Sequence, residues 1–443
     1  MMNSNLNRGA FIPYRRLDLI KLCLTEDKLS QEKAEQFRQF CDLLAAFYHF
    51  KFHAYLERLK DNYAAFNPDS ATQSVNFDNK VRESQLIEDF KHLLDRANYS
   101  PIASESLRQA IEERSLIDVR TQVDFEDFEQ LVCYCRGEKN EVVKEKKFFF
   151  RTVEKNINLF ERVIILLKFK ETTHFQKRKF LFFGSKDFTP ESRGFKGKKI
   201  YIYYYKNVPK FDLELLFPNI QTSMTWKDRL LLIIPAIGAG IPLVFKALPK
   251  LLLVVEAIIF TVFGAVTIGG WQIDEQEVRD FMPVLTATLS LLIVLGSFAF
   301  RQYNKYKSKL IRFRKNITDT LFFRNLANNG TTFQSLIDEA EEEECKEIIL
   351  VYYHLLTSDR PLTAAQLDRR IENWMATRYQ TQIDFDINGP IENLEAIQNR
   401  RKTPLLQRDE RGYCHVLPLA EAQAVIDEIW DNIFEYAQGD LSP

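Results

Sequence analysis

The chain has 443 residues, enough for roughly two or three domains, and its 60 Lys+Arg against 61 Asp+Glu give a net charge of −1. That balance argues against a protein driven as a whole by nucleic-acid or polyacid binding. A mean hydropathy of −0.25 excludes a chain that is mostly membrane, and 15 Gly with 15 Pro exclude a low-complexity chain.

The first residues have no apolar h-region, so no signal peptide is expected. Phe11 to Arg16 form an aromatic and basic opening. From 31 to 60, Phe37, Cys41, Leu44, Tyr48, Phe52, Tyr55 and Leu59 recur every three or four residues, the period of an amphipathic helix. Asn67-Pro68-Asp69-Ser70 ends that pattern. Leu86, Ile87, Phe90, Leu93 and Leu94 give a second helix. Leu107 and Ile111, then Phe125, Phe128, Leu131 and Val132, suggest two more. Residues 1–140 thus read as a helical domain. Short β-branched and aromatic runs follow at 148–150, 163–169, 179–183 and 200–205, with a short helix at 209–217. Residues 141–226 read as a small α+β domain with an antiparallel sheet.

Residues 227–300 read as a membrane module. Leu230–Leu248, Leu251–Gly270 and Phe281–Phe300 are each long enough for a ~30 Å hydrocarbon core. Pro235, Gly238, Gly240 and Pro242 interrupt the first, which is expected to be re-entrant or interfacial. The other two are expected to cross, at about 251–270 and 281–300. The 271–280 loop is acidic and the outer flanks are basic, so both large regions are expected on the cytoplasmic or equivalent side. An organellar membrane is possible for a eukaryotic chain. Glu256 falls inside the second stretch. An intramembrane carboxylate marks an ion path, or else it snorkels towards Lys246 and Lys250.

Arg301, Lys305, Lys307, Lys309 and Arg312 open a basic segment that suits anionic lipid. Tyr303, Tyr306, Leu310, Phe313, Ile317 and Leu321 carry a helix through it to Asn329-Gly330. Residues 301–345 are juxtamembrane helices, including the start of a helix over 333–356 with the acidic run Glu341–Glu344. Residues 346–437 then run as capped helix (Thr363 to Gln366 is a capping box), helix, hairpin at 405–417 and closing helix. That order is winged-helix-like. Its candidate reading helix carries Glu392 and Glu395, so protein docking is expected rather than nucleic acid.

His49, His53 and Glu57 follow one another at i, i+4 and i+8 and could offer three metal ligands on one face. No fourth ligand is evident, and an aromatic packing face is the competing reading. No HExxH, Walker A loop or GxSxG occurs, and no cofactor is expected. The six cysteines have irregular spacing and no CxxC, which suits reduced thiols. The fold class is therefore an α+β membrane protein: an N-terminal helical domain, a small antiparallel sheet, a transmembrane helical hairpin and a C-terminal winged-helix-like domain.

The segments FIPYRRLDL (11–19), YHFKFHAYLERLKDNYAAFNPD (48–69), FEDFEQLVCYCRG (125–137), VPKFDLELLFP (208–218), RQYNKYKSKLIRFRKN (301–316), LFFRNLANNGTTFQSLIDEAEEEECKE (321–347) and DFDIN (384–388) resemble the transmembrane protein 143-like family. The resemblance implies a membrane protein with a short transmembrane module and supplies no activity or catalytic residue. The leading functional expectation is a membrane-anchored, non-enzymatic scaffold or interaction protein, with an unknown protein or a second copy as partner. The alternatives are a channel or transporter component using the broken segment 230–248, and an interfacial lipid enzyme.

Overall fold

The structure, a computed structural model, describes residues 11–71, 79–102, 120–147, 151–175, 189–223, 230 and 275–432. Two compact units emerge. The first joins 1–110, 125–213 and 324–443, and the second joins 111–124 and 214–323.

In the first unit, helices α1 (Arg16–Leu24), α2 (Gln31–Ala64) and α3 (Asn79–Arg96) come first. The Ser30 hydroxyl accepts from the Lys33 N–H at 3.4 Å and so caps α2. The sheet follows. Strand β1 (Ser100–Pro101) lies beside β3 (Phe128–Lys147), then come β4 (Arg151–Phe169) and β5 (Ile200–Pro209), and finally β7 (Asn325–Asn328). Every neighbouring pair is antiparallel, with Val132 opposite Leu166 and Ile164 opposite Tyr204. Strand β2 (Arg120–Gln122) pairs instead with β6 (Gln221–Ser223) in the second unit. Residues 125–132, expected to be helical, are a 3-10 turn that leads into β3. Their apolar spacing fits either period. Pairing with the long apolar run of β4 decides for the strand.

Helix α5 (Gly330–Leu356) is the centre of this unit. From Ile348 to Tyr353 it is apolar on every side, and all six residues are buried. A helix without a polar face must be enclosed. Phe40 of α2 stacks on Tyr352 at 4.2 Å, and Phe333 meets Tyr63 of α2 and Phe90 of α3 edge-on. The Tyr63 hydroxyl donates to the Ile200 carbonyl at 2.9 Å, joining α2 to β5. The expected boundary between 345 and 346 falls inside α5.

After α5 come β8 (Leu362–Thr363), α6 (Ala364–Tyr379), α7 (Asn388–Ala396), β9 (Leu406–Arg408), β10 (Tyr413–Val416) and α8 (Leu419–Asp431). Strands β8, β10 and β9 form an antiparallel three-stranded sheet in that order. The Thr363 N–H donates to Gln366 Oε1 at 3.1 Å, as the capping box requires.

The transmembrane hairpin is overturned. Among the described residues no helix is long and apolar enough to cross a membrane. The stretches 230–248 and 251–270, with Glu256, lie outside the described residues except for Leu230. The stretch 281–300 is not a separate crossing but part of α4 (Glu275–Arg324), a 50-residue helix continuous with the basic segment. The part of the helix after Phe300 is charged and exposed, with Arg301, Lys305 and Lys307. Ile293, Val294 and Phe300 stand exposed on α4. The integral-membrane location and the two-crossing topology fall with the hairpin. Asn329-Gly330, expected to end the helix, instead starts α5, because α4 ends at Arg324 and β7 intervenes.

Candidate functional site

The acidic run on α5 is not a solvated face. Glu343 and Glu344 are buried, as is Glu347 one turn on. Arg96, at the end of α3, grips Glu344 with two nitrogens; the Nη2–Oε2 distance is 3.0 Å. Its guanidinium also lies over the Phe52 ring at 4.2 Å. Asn98 Nδ2 donates to Glu347 Oε1 at 2.8 Å. Burial pushes the Glu347 carboxyl up to about 8, with Glu343, Glu344 and Asp386 adding to the shift and the Asn98 bond opposing it. Burial also raises Glu343, against its pairing with Lys346.

The N-terminal segment closes over this cluster. The Ile12 N–H donates to Glu343 Oε2 at 3.3 Å, and Lys346 Nζ donates to the Ile12 carbonyl at 2.7 Å. The Arg16 N–H donates to Glu342 Oε1 at 2.5 Å. Arg136 of β3 sits over the Phe11 and Tyr99 rings and bonds Glu339 at 2.8 Å. The cleft beside it, of about 460 Å³, is lined by Phe11 to Arg15 and the same charged groups. Carboxylates with this many donors are held as ions or hydrogen-bonded acids in fixed geometry, which suits gripping a chain segment.

A second cavity, of about 700 Å³, lies among the end of α5, β8, α6 and Tyr413 of β10. Its polar lining includes His354, Arg370 and Trp374. At the C-terminal hairpin, Arg408 of β9 donates through Nε and Nη2 to the two oxygens of Glu395 on α7, both at 2.6 Å. Glu392 of α7 is exposed.

The candidate metal ligands do not form a ligand set. His49, His53 and Glu57 stand on the exposed side of α2, while Tyr48, Phe52 and Leu56 face the core. His49 Nδ1 lies 3.1 Å from Glu341 Oε2, and Glu57 pairs with Lys60 at 2.9 Å. Among the described residues no group of three or more His, Cys, Asp or Glu could hold a metal ion. The aromatic packing falls on the neighbouring face, where Tyr48 and Phe52 are buried. Arg301, Lys305, Lys307, Lys309 and Arg312 are exposed along α4. Sequence reasoning missed Arg96, Asn98, Arg136, His354 and Arg370. The usable signal was α5 itself, where the acids of 341–347 lead into the all-apolar run Ile348–Tyr353.

A family model described as a protein of unknown function (DUF3754) matches residues 160–330. No solved structure matches.

Proposed function

We propose that the protein is a non-enzymatic interaction protein that docks a protein partner through the α7 face of its C-terminal region. The observation that carries this is the Glu395–Arg408 pair. In a winged-helix order α7 is the helix that would enter a groove, and β9 leads into the wing. The wing's arginine is already neutralised by an acid on that helix, and Glu392 adds exposed negative charge. Such a face repels phosphate. The chemistry-bearing groups elsewhere support the same reading. Burial raises the Cys23, Cys41, Cys133 and Cys345 thiols, which disfavours the thiolate needed by a nucleophile. Fluorescence anisotropy with labelled duplex DNA should give no saturable binding at any salt concentration. Binding that falls with salt and is lost on neutralising Arg400, Arg401 and Lys402 would overturn the reading.

The exposed bases on α4 favour a second contact, with an anionic surface. Lys and Arg near an anionic leaflet contribute about 1 kcal/mol each. Replacing Lys305, Lys307 and Lys309 by Gln should weaken binding to phosphatidylserine vesicles in a salt-dependent way. An unchanged preference over phosphatidylcholine vesicles would remove this contact from the account.

A further inference from the structure

The cavity at the end of α5 has a lining of unusual sign. Lys28, Arg360, Arg369 and Arg370 line it, and none of its described lining residues is a carboxylate. Lys28 has Glu26 at 3.8 Å, and Glu26 also meets Arg378 at 3.4 Å. Burial raises the Asp368 carboxyl on α6, with Glu372, Asp384 and Asp386 adding to the shift and Arg369 opposing it. Arg370 bonds only neutral acceptors among the described residues: His354 Nδ1 at 3.3 Å, Ser358 Oγ at 3.2 Å and the Thr357 carbonyl at 3.3 Å.

The bond to His354 fixes its tautomer. An arginine only donates, so Nδ1 must carry the lone pair and Nε2 the proton. Burial, with Arg370 and Lys28 nearby, holds this imidazole down to about 3, so it stays neutral. Its Nε2–H is buried and meets no acceptor, and the same holds for the Trp374 indole N–H. A buried donor without an acceptor is costly and calls for a partner. Four cations therefore line the cavity, with two unmet donors buried in its wall, and the missing element is a group made of acceptor oxygens.

We propose that this cavity binds a phosphorylated small molecule, with phosphate oxygens accepting from Arg360, Arg369 and Arg370 and with Lys28 balancing the charge. Phosphate suits the site better than a carboxylate. It offers more acceptor oxygens, carries more charge, and matches guanidinium forks. The volume lies within the range of roughly 300–1,000 Å³ for small-molecule sites. The Trp374 and Tyr413 rings supply apolar surface for the rest of the ligand.

The test is isothermal titration of the full chain with inorganic phosphate and pyrophosphate, with acetate as the comparison anion. Thermal melting gives an independent readout, because a ligand that binds only the folded state raises the melting temperature. Saturable pyrophosphate binding is expected. It should weaken at least about tenfold in R360Q/R369Q, a loss of ~1.4 kcal/mol. Both side chains are exposed, so ligand-free melting should be unchanged. R370Q should lose binding further, and the rim variant keeps the proposal testable if R370Q does not fold. Absence of saturable binding would overturn the proposal. So would acetate binding as tight as pyrophosphate, or pyrophosphate binding that is insensitive to R360Q/R369Q and lost in K305Q/K307Q/K309Q.

Discussion

At the scale of single residues, the charges around α5 decide how the core responds to substitution and to pH. Glu344 and Arg96 are both largely enclosed. Removing one partner leaves the other charge without compensation, which costs about 3–5 kcal/mol. E344A should lose about that much in urea unfolding, and R96M/E344L should recover much of it. A loss below ~1 kcal/mol in E344A would show the pair to be well solvated. Glu347 gives a pH signature. Its folded-state value is raised from 4.5 to about 8, so the folded protein holds this proton where the unfolded chain releases it. The contribution is fully present below pH 4.5 and is lost as the pH rises towards 8. Wild-type protein should therefore lose stability relative to E347Q across that window, and parallel pH–stability curves would contradict the assignment. Gln cannot ionise, so the comparison isolates this group.

At the scale of elements, Asn329 shows how one residue joins three parts of the fold. Its backbone has φ 50° and ψ −130°, a combination outside the left-handed helical basin and strained for any residue with a side chain. Its side chain donates to Asp69 at 2.6 Å and accepts from the Ile202 N–H at 3.1 Å, while its own N–H donates to the Ile202 carbonyl at 2.8 Å. The end of α2, strand β5 and the start of α5 thus meet at one side chain. N329A leaves a buried N–H unmet and keeps an unfavourable φ, so it should destabilise by about 1–3 kcal/mol. Thermal melting equal to wild type would show the junction to be replaceable. The elements themselves were unevenly legible. Helices α2, α6 and α7 and the β9–β10 hairpin could be read because their signals are local: apolar spacing, a capping box, a Gly turn. Strand β3 could not, because its apolar residues also suit a helix and the deciding partner, β4, begins at Arg151. The membrane hairpin was inferred from apolar length and from the charges that flank the stretches. In the described residues its last stretch is one part of a long helix whose other part is charged.

At the scale of the whole molecule, the first unit is assembled from chain segments far apart in sequence. Arg96 and Glu344 are 248 residues apart, and Ile12 and Glu343 are 331 apart. No local pattern announces such pairs, which is why the run Glu341–Glu344 was visible but its burial was not. The same applies to the basic cavity, where Lys28 and Tyr413 come from distant parts of the chain. The His49, His53 and Glu57 spacing was legible as spacing. It did not reveal that α2 turns that side away from the core. What the assembly leaves outward is an α7 face whose acids oppose phosphate, and a protein partner is expected to dock there. The most direct test places a photoreactive amino acid at Glu392 of the full chain in its own cells and identifies what it captures. A discrete protein adduct at one stoichiometry is expected, absent when the probe is placed at exposed Arg38 of α2. Nucleic-acid adducts, or an identical adduct pattern from both positions, would contradict it.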